Sequence, residues 1–399
     1  MDALDLHVLE IRPVGGLIPE AMREVIELES HLVAGVLLEA DPADFHAHAL
    51  ASLANVLFPT GPNTIQNARD HAKPEPVVQG KIAVEEHFAT GALEHLISAI
   101  GWDKAAWRRV VDRLEDTDGF RLAEMDRLGI ALAVLSLGAF GVQDEPDTQR
   151  AIAAAAQAND ALAGIVACHS TRYAGLAALP LQDPMAAAAE AERAVRQLGL
   201  KGALVNGYSS IGNLDTGAYY DEPPYLPFWE RFAALNVPFY LHPRNPLPNE
   251  RRIYQGRSEL LGPVWAFTVE TATHALRLIT SGIFDRFPTL TVVIGHMGEL
   301  LPFAIHRLEQ RIKNIPTLEL KRRPSQYLQE NFYITTSGNN HTASLMGSIL
   351  QLGADRIMFA ADYPFEEMHE GAEWFDAVPI SAADRVKIGR TNAQKVFRL

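Results

Sequence analysis

Eight short apolar runs, each followed by a longer segment with helical spacing, are the feature that most constrains how this chain folds. Their richness in Val, Ile, Leu and Ala is typical of strands buried on both faces of a parallel sheet. The predicted strands are 81–87, 131–138, 173–179, 202–207, 238–242, 291–296, 332–338 and 356–362. The clearest predicted crossover helices are 184–198, 225–235, 299–313 and 341–352.

Eight successive βα units fit a closed (β/α)8 TIM barrel. An open, doubly wound sheet would also alternate strands with helices, so the alternation by itself leaves both architectures open. The barrel is favoured because polar residues fall where the predicted strands end, which is where TIM barrels carry their chemistry. We therefore predict an α/β protein whose metal-dependent (β/α)8 catalytic domain spans residues 79–399.

Residues 1–78 do not join this alternation. Segments 19–40 and 42–57 have helical patterns, 58–63 is rich in turn residues, and 72–80 has the spaced prolines of a linker. We predict a helical N-terminal extension over 1–78. An oligomer contact, a cover for the barrel and an artificial addition all remain open as its role.

Composition excludes several classes of protein. The chain is 48% hydrophobic and 21% charged, as expected of a globular protein with a large core. Its net charge of −14 argues against nucleic acid and anionic membranes as partners. No apolar run approaches the roughly 20 residues that span a bilayer, and the N-terminus lacks a signal-peptide pattern. The single cysteine, Cys168, excludes an intramolecular disulfide framework, and we expect it to pack in a helix. We predict a cytoplasmic protein.

Residues of the kind that bind metals stand at the ends of three predicted strands. Strand 1 ends in Glu85-Glu86-His87, strand 5 in His242 and strand 8 in Asp362. Side chains alternate along a strand, so Glu85 and His87 point to the same side and Glu86 points away. A lone histidine at a strand end is more often a hydrogen-bonded structural residue. Two carboxylates and two imidazoles together, at the ends of strands of one barrel, favour a Zn²⁺ or Mn²⁺ site.

A further histidine, His296, ends strand 6 and is followed three residues later by Glu299. A carboxylate at that spacing can orient the imidazole and raise its basicity. We therefore expect these two residues to act as a pair beside the metal ligands.

The sequence resembles the amidohydrolase superfamily, and within it the decarboxylase branch that contains γ-resorcylate (2,6-dihydroxybenzoate) and 2,3-dihydroxybenzoate decarboxylases. The resemblance covers about 80–399 and is carried by segments such as KIAVEEHF, FYLHPRNPLP, VVIGHMGELLPF and ADRIMFAADYPFE. It implies that the metal ligands are Glu85, His87, His242 and Asp362. It also implies that Asp362 donates a proton, that His296 and Glu299 form the catalytic pair, and that Arg307 binds the substrate carboxylate. For Arg307, the alternative is an ion pair with Glu309 on the same helix or with acidic residues of the loop around Asp362.

Two segments depart from the pattern of these relatives, namely Gly138-Ala139-Phe140 after strand 2 and the loop 90–102 after strand 1. Both border the expected ring pocket, so the resemblance leaves the identity of the aromatic acid open.

Binuclear members of the superfamily bridge two metals with a carboxylated lysine at the end of strand 4. This chain has Asn206-Gly207-Tyr208 there, and Lys201 lies at the opposite end of the strand. We therefore expect one divalent ion per chain, Zn²⁺ or Mn²⁺, and no organic cofactor.

These features predict a carboxy-lyase that converts an ortho-hydroxybenzoate of the dihydroxybenzoate type to a phenol and CO₂, and that runs in reverse at high bicarbonate. We expect a small aromatic carboxylate as substrate and a homo-oligomer, a dimer or a tetramer. A mononuclear hydrolase of lactones or amides is the alternative, since a metal-bound water could use the same ligands. A non-catalytic scaffold is a third possibility, although no ligand has been lost.

Overall fold

The computed structural model of the protein describes residues 80–97 and 103–399. The strands in these ranges are β1 (Lys81–Phe88), β2 (Ile130–Leu137), β3 (Tyr173–Gly175), β4 (Ala203–Asn206), β5 (Ser209–Ile211), β6 (Asn213–Ala218), β7 (Phe239–His242), β8 (Val292–Ile294), β9 (Phe332–Thr335) and β10 (Ile357–Met358). The eight predicted strands correspond to all of these except β5 and β6. Those two form an antiparallel hairpin that the sequence analysis does not predict.

The eight predicted strands close into a parallel ring. β1, β2 and β3 pair in that order, and β4, β7, β8, β9 and β10 pair in a second run. A parallel bridge between Ala177 and Ala203 joins the two runs on one side. On the other side, the Val84 N–H donates to the Phe359 carbonyl. The ring confirms the predicted (β/α)8 barrel.

Helices connect the strands around the outside of the ring. They are α1 (Lys104–Glu115), α2 (Phe120–Arg127), α3 (Thr148–Cys168), α4 (Pro184–Arg196), α5 (Leu226–Leu235), α6 (Ala266–Thr280), α7 (Ile283–Arg286), α8 (Leu301–Ile312), α9 (Pro324–Asn331), α10 (Thr342–Leu352), α11 (Met368–Ala377), α12 (Ala382–Val386) and α13 (Asn392–Phe397). The four crossover helices predicted from the sequence are confirmed as α4, α5, α8 and α10.

Local sequence explains why α4 starts where it does. The Asp183 carboxylate accepts hydrogen bonds from the N–H groups of Met185 and Ala186, and Pro184 occupies the first helical turn. An N-terminal cap of this kind contributes about 1 kcal/mol to helix stability. The buried alanines of α4 then allow the helix to lie close to the sheet.

Two apolar layers position the functional end of the barrel. The interior holds side chains from alternating strand residues, including Val84, Val134, Leu204, Tyr240 and Val293. A larger layer packs between the strands and the surrounding helices. The interior is therefore a packed core, and strand ends above it are held in fixed positions.

Helix α3 departs from two expectations. It has 21 residues and is long and apolar enough to cross a membrane by length and composition, whereas the sequence analysis found no such run. It connects the adjacent strands β2 and β3, and buries Ala155, Ala158 and Leu162 against the barrel. Cys168, expected to pack, is exposed at its C-terminal end.

The predicted extension 1–78, with its helices 19–40 and 42–57, lies outside the described residues. The predicted linker 72–80 is described only at Gly80, and the loop 90–102 only in part.

Candidate metal centre

The structure brings together the four side chains predicted to bind a metal. One ligand atom from each of them lies within 4.8 Å of the others, and all four residues are buried. The set consists of Glu85, His87, His242 and Asp362. They come from the C-terminal ends of β1 and β7 and from the chain just after β10.

Two atoms of this cluster have no hydrogen-bond partner among the described residues, although both are buried. They are Oε1 of Glu85 and Nε2 of His242, which lie 3.4 Å apart. Burying unpartnered polar atoms is unfavourable unless a ligand satisfies them. Two carboxylates and two imidazoles suit a divalent ion such as Zn²⁺ or Mn²⁺, so the residues present fit one.

Neighbouring side chains orient both imidazoles toward the centre of the cluster. The Nδ1 atom of His242 lies 2.7 Å from Oδ1 of Asn206, which can only accept a hydrogen bond. The Nδ1 atom of His87 lies 3.1 Å from Oγ of Ser136. With the proton on Nδ1, each ring presents the lone pair of Nε2 to the cluster.

The second oxygen of Glu85 is fixed by hydrogen bonds from two buried hydroxyl groups. Oε2 accepts hydrogen bonds from the hydroxyl of Tyr240 and, at 2.9 Å, from that of Thr335. Tyr240 belongs to β7 and Thr335 to β9, and both residues are buried. This arrangement leaves Oε1 as the oxygen directed at the metal position.

His296 and Glu299 lie beside the cluster, as predicted. The Nδ1 atom of His296 is 2.7 Å from Oε1 of Glu299, and its Nε2 atom is 3.4 Å from Oδ2 of Asp362. The backbone from His296 to Leu300 has positive φ at every residue. This left-handed turn brings residues three apart onto the same side, which allows the imidazole and carboxylate to meet.

The carboxylates around His296 favour its protonated form. Burial lowers the pKa of its imidazole, but the carboxylates of Glu299 and Glu85 outweigh burial and raise it well above the ordinary value. Burial raises the pKa of Asp362, but hydrogen bonds with His296 and His87 lower it overall. Burial lowers the pKa of His242, which favours the neutral imidazole that metals bind.

A cavity of about 160 Å³ opens beside His296. Its polar lining includes Thr268, Glu299 and Asn339, and its apolar lining includes Phe267. The lining is completed by Pro263, Leu300, Gly338 and His296 itself. An apolar wall next to a protonated imidazole suits a small aromatic anion.

Phe140 contacts one residue of the cavity wall, and Gly338 is itself part of that wall. Phe140, from the segment that departs from the relatives, packs edge-on against Phe267 at a ring distance of 5.8 Å. A side chain at Gly338 would begin 3.1 Å from the ring of His296 and 3.7 Å from a carboxylate oxygen of Asp362. Glycine there keeps the space in front of both groups free.

Arg307 does not line this cavity. It is exposed on α8. Nor is it paired with Glu309, the alternative considered above, since that carboxylate contacts Ser325 and Arg323.

The sequence analysis missed the residues that orient the ligands. Asn206, Ser136, Tyr240 and Thr335 received no role. A usable signal exists, because each places a hydroxyl or amide at a buried position of a largely apolar strand. Such groups need partners, and metal ligands at neighbouring strand ends are the nearest candidates.

Asn206→Ala should weaken metal binding about 10- to 100-fold, because His242 would lose the acceptor that fixes its tautomer and ring orientation. Equilibrium dialysis with Mn²⁺ measures this effect. Asn206→Asp keeps an accepting oxygen and should retain most of the affinity. Asn159→Ala serves as a matched control, because Asn159 is also a buried amide, and its hydrogen bonds are with the backbone of Ala178 and not with a residue of the cluster. Equal affinity in Asn206→Ala and wild type would show that the amide does not orient the ligand.

The fold and the cluster define a class, namely (β/α)8 barrel proteins with a buried four-ligand metal site at the C-terminal ends of the strands. A model of the amidohydrolase family matches residues 43–399. The chain therefore belongs to the amidohydrolase family. The match begins at residue 43, inside the segment 1–78 that the sequence analysis treats as an extension.

Known relatives are similar over most of their length. The γ-resorcylate decarboxylase of Rhizobium sp. (strain MTP-10005) is 51% identical over 326 residues, which is 81% of this chain and 99% of the relative. A solved 2,6-dihydroxybenzoate decarboxylase in complex with 2,6-dihydroxybenzoate is 50% identical, with a TM-score of 0.78 over 81% of this chain and 100% of its own. The dihydroxybenzoic acid decarboxylase of Polaromonas sp. JS666, solved with manganese and 2-nitroresorcinol, has the same identity and TM-score and is covered to 98%.

Proposed function

We propose that this protein is a metal-dependent carboxy-lyase that converts an ortho-hydroxybenzoate, with 2,6-dihydroxybenzoate as the first candidate, to a phenol and CO₂. The observation that carries this proposal is the buried four-ligand cluster with His296 and Glu299 set against Asp362. Relatives at about half identity that act on 2,6-dihydroxybenzoate support the choice of substrate.

The metal site would hold the reacting end of the substrate. Glu85, His87, His242 and Asp362 would bind a divalent ion, which when bound supplies a Lewis acid for a phenolate and the adjacent carboxylate. We propose Mn²⁺, because a relative was solved with manganese, and Zn²⁺ suits the same donors. No organic cofactor is required.

Decarboxylation needs a proton on the ring carbon that carries the carboxylate. That carbon then becomes tetrahedral, the bond to the carboxylate breaks, CO₂ leaves, and the bonding electrons restore the aromatic ring. We propose Asp362 as the donor: protonated His296 first passes its proton across the 3.4 Å between Nε2 and Oδ2, Asp362 delivers that proton to the ring carbon, and solvent then reprotonates the imidazole. Glu299 holds the imidazole in the orientation that this transfer requires. Since each step is reversible, the site should also carboxylate a phenol at high bicarbonate.

Arg307 remains our proposed partner for the substrate carboxylate. Because it is exposed and does not line the cavity of its own chain, it would act by reaching the cavity of a second copy. This is compatible with the proposed homo-oligomer, a dimer or a tetramer. We also propose a cytoplasmic location.

Arg307→Ala should raise KM for the hydroxybenzoate about tenfold or more with a smaller effect on kcat, because a bidentate carboxylate contact stabilises bound substrate and transition state alike. Steady-state kinetics measure both parameters. Arg311→Ala removes another exposed arginine one turn further along α8 and should leave KM unchanged. Equal KM values in the two variants would rule out the proposed contact.

The test of the function is a substrate screen followed by ultraviolet absorbance and CO₂ release. Purified, Mn²⁺-loaded protein should consume 2,6- or 2,3-dihydroxybenzoate and leave 4-hydroxybenzoate untouched, because only an ortho phenol can share the metal with the carboxylate. Hydrolysis of lactones or amides without turnover of any hydroxybenzoate would support the hydrolase alternative. Equal rates on the ortho and para isomers would contradict the proposed mechanism.

A further inference from the structure

Glu86, the middle residue of Glu85-Glu86-His87, is fully buried but takes no part in the metal cluster. Its carboxylate faces the chain that follows β10. Oε1 accepts a hydrogen bond from the Ala361 N–H at 2.9 Å, and Oε2 accepts one from the Tyr363 N–H at 3.3 Å. The two oxygens therefore hold the backbone on both sides of Asp362.

Regular pairing between β1 and this chain is interrupted at the same place. The Val84 N–H donates to the Phe359 carbonyl, and pairing resumes where the His87 N–H donates to the Tyr363 carbonyl at 2.7 Å. The three steps from Val84 to His87 along β1 thus lie opposite four steps, from Phe359 to Tyr363, in the segment after β10. One extra residue has been accommodated, as in a β-bulge, and bulges commonly re-aim a side chain beside an active site.

Because of the extra residue, the N–H groups of Ala361 and Tyr363 do not pair with backbone carbonyls of β1. Asp362 itself donates its N–H to the Glu85 carbonyl at 3.0 Å. Its two neighbours donate to the Glu86 carboxylate instead. Backbone N–H groups that flank a left-handed residue often converge on one acceptor group, and here the carboxyl group of Glu86 accepts both hydrogen bonds.

Asp362 has a φ of 66°, a left-handed conformation that non-glycine residues rarely adopt without support. In that conformation its carboxylate reaches His87 through Oδ1, at 3.1 Å, and His296 through Oδ2. A return to an ordinary φ would swing the carboxylate away from both.

We propose that Glu86 is a positioning residue, whose carboxylate holds Asp362 in its left-handed conformation and so directs the Asp362 carboxylate at both the metal site and His296. The proposal rests on the proposed function for its kinetic consequence only. The side chain of Glu86 would touch neither substrate nor metal.

The test compares Glu86→Gln with wild type and uses full-length, Mn²⁺-loaded protein. Glutamine keeps the volume but offers only one accepting oxygen to the two N–H donors, so the Asp362 segment should loosen. We expect kcat to fall about 10- to 100-fold with KM changed less than about threefold, since small displacements of a reacting group have effects of this size. The electron paramagnetic resonance spectrum of bound Mn²⁺ should broaden or shift, because one of its ligands is less well fixed.

Glu270→Gln is the matched control. Glu270 is also buried and hydrogen-bonded, to the hydroxyl of Tyr219, but it lies on α6, outside the metal cluster and the cavity lining. Its variant should lose stability without changing kcat or the Mn²⁺ spectrum. Glu86→Ala, if it folds, should show a larger kinetic effect than Glu86→Gln.

A folded Glu86→Gln protein with wild-type kcat and an unchanged Mn²⁺ spectrum would overturn the proposal. A lower melting temperature with no change in either readout would assign Glu86 a purely structural role and would overturn it equally. The Mn²⁺ spectrum separates this proposal from the proposed function, because it can be measured even if wild-type protein turns over no hydroxybenzoate.

Discussion

Replacing His296 by alanine should lower kcat by about 10²- to 10⁴-fold while the protein still binds its metal. The size follows from the usual contribution of a positioned acid or base. His296 is outside the four-ligand cluster, yet its Nε2 atom lies 3.4 Å from Asp362, and the carboxylates around it raise the pKa of its imidazole. Single-turnover kinetics on metal-loaded protein would measure the chemical step directly.

Glu299→Gln provides a graded comparison for the same pair. The amide oxygen can still accept from Nδ1 of His296, but the charge that raises the pKa of the imidazole is removed. We expect a smaller loss of kcat than in His296→Ala. Wild-type kcat in His296→Ala with full metal content would exclude the histidine from proton transfer.

Replacing His242 by alanine should remove the metal and, with it, turnover. Loss of a group that only orients a ligand costs about 10- to 100-fold in metal affinity, so loss of the ligand itself should exceed about 10²-fold. Elemental analysis after dialysis should give about one divalent ion per chain for wild type and much less for the variant.

His306→Ala is the control for this experiment, because that histidine is exposed on α8 and contacts only Gln310 among the described residues. It should retain metal and activity. Metal content unchanged in His242→Ala, or two tightly held ions in wild type, would contradict the mononuclear four-ligand site.

The barrel and the four residues of the buried cluster could be predicted because both leave short-range signals. A strand buried on two faces is an uninterrupted apolar run, and a polar residue that ends such a run stands out. Glu85, His87, His242 and Asp362 all have this form.

Features that depend on pairing between distant segments could not be predicted in the same way. Strand 8 was expected over 356–362, but β10 is only Ile357–Met358, because the extra residue near Asp362 breaks the regular ladder. Helix 299–313 was expected to begin at Glu299, but α8 begins at Leu301. The side chains of His296 and Glu299 meet at a helical spacing of three residues, but through a turn of opposite hand, which apolar periodicity does not reveal.

Arg307 shows a different limit. The resemblance to relatives assigns Arg307 the role of binding the substrate carboxylate, but whether this arginine can reach a substrate cavity depends on how copies of the chain would assemble. One chain places this arginine on its outer surface.

The left-handed turn from His296 to Leu300 lowers the thermal stability of the barrel, while it also orients the imidazole that the proposed reaction needs. Each non-glycine residue in that conformation costs roughly 1–2 kcal/mol, and only Gly298 of the five is a glycine. Four such residues amount to roughly 4–8 kcal/mol, which is large beside the roughly 5–15 kcal/mol that stabilises an ordinary domain. Leu300 is exposed, so directed evolution for thermostability alone should collect glycine or asparagine there, whereas the buried side chain of Met297 should be kept because its loss would leave a cavity in the core. Selection for activity should preserve the rigid turn that aims the imidazole.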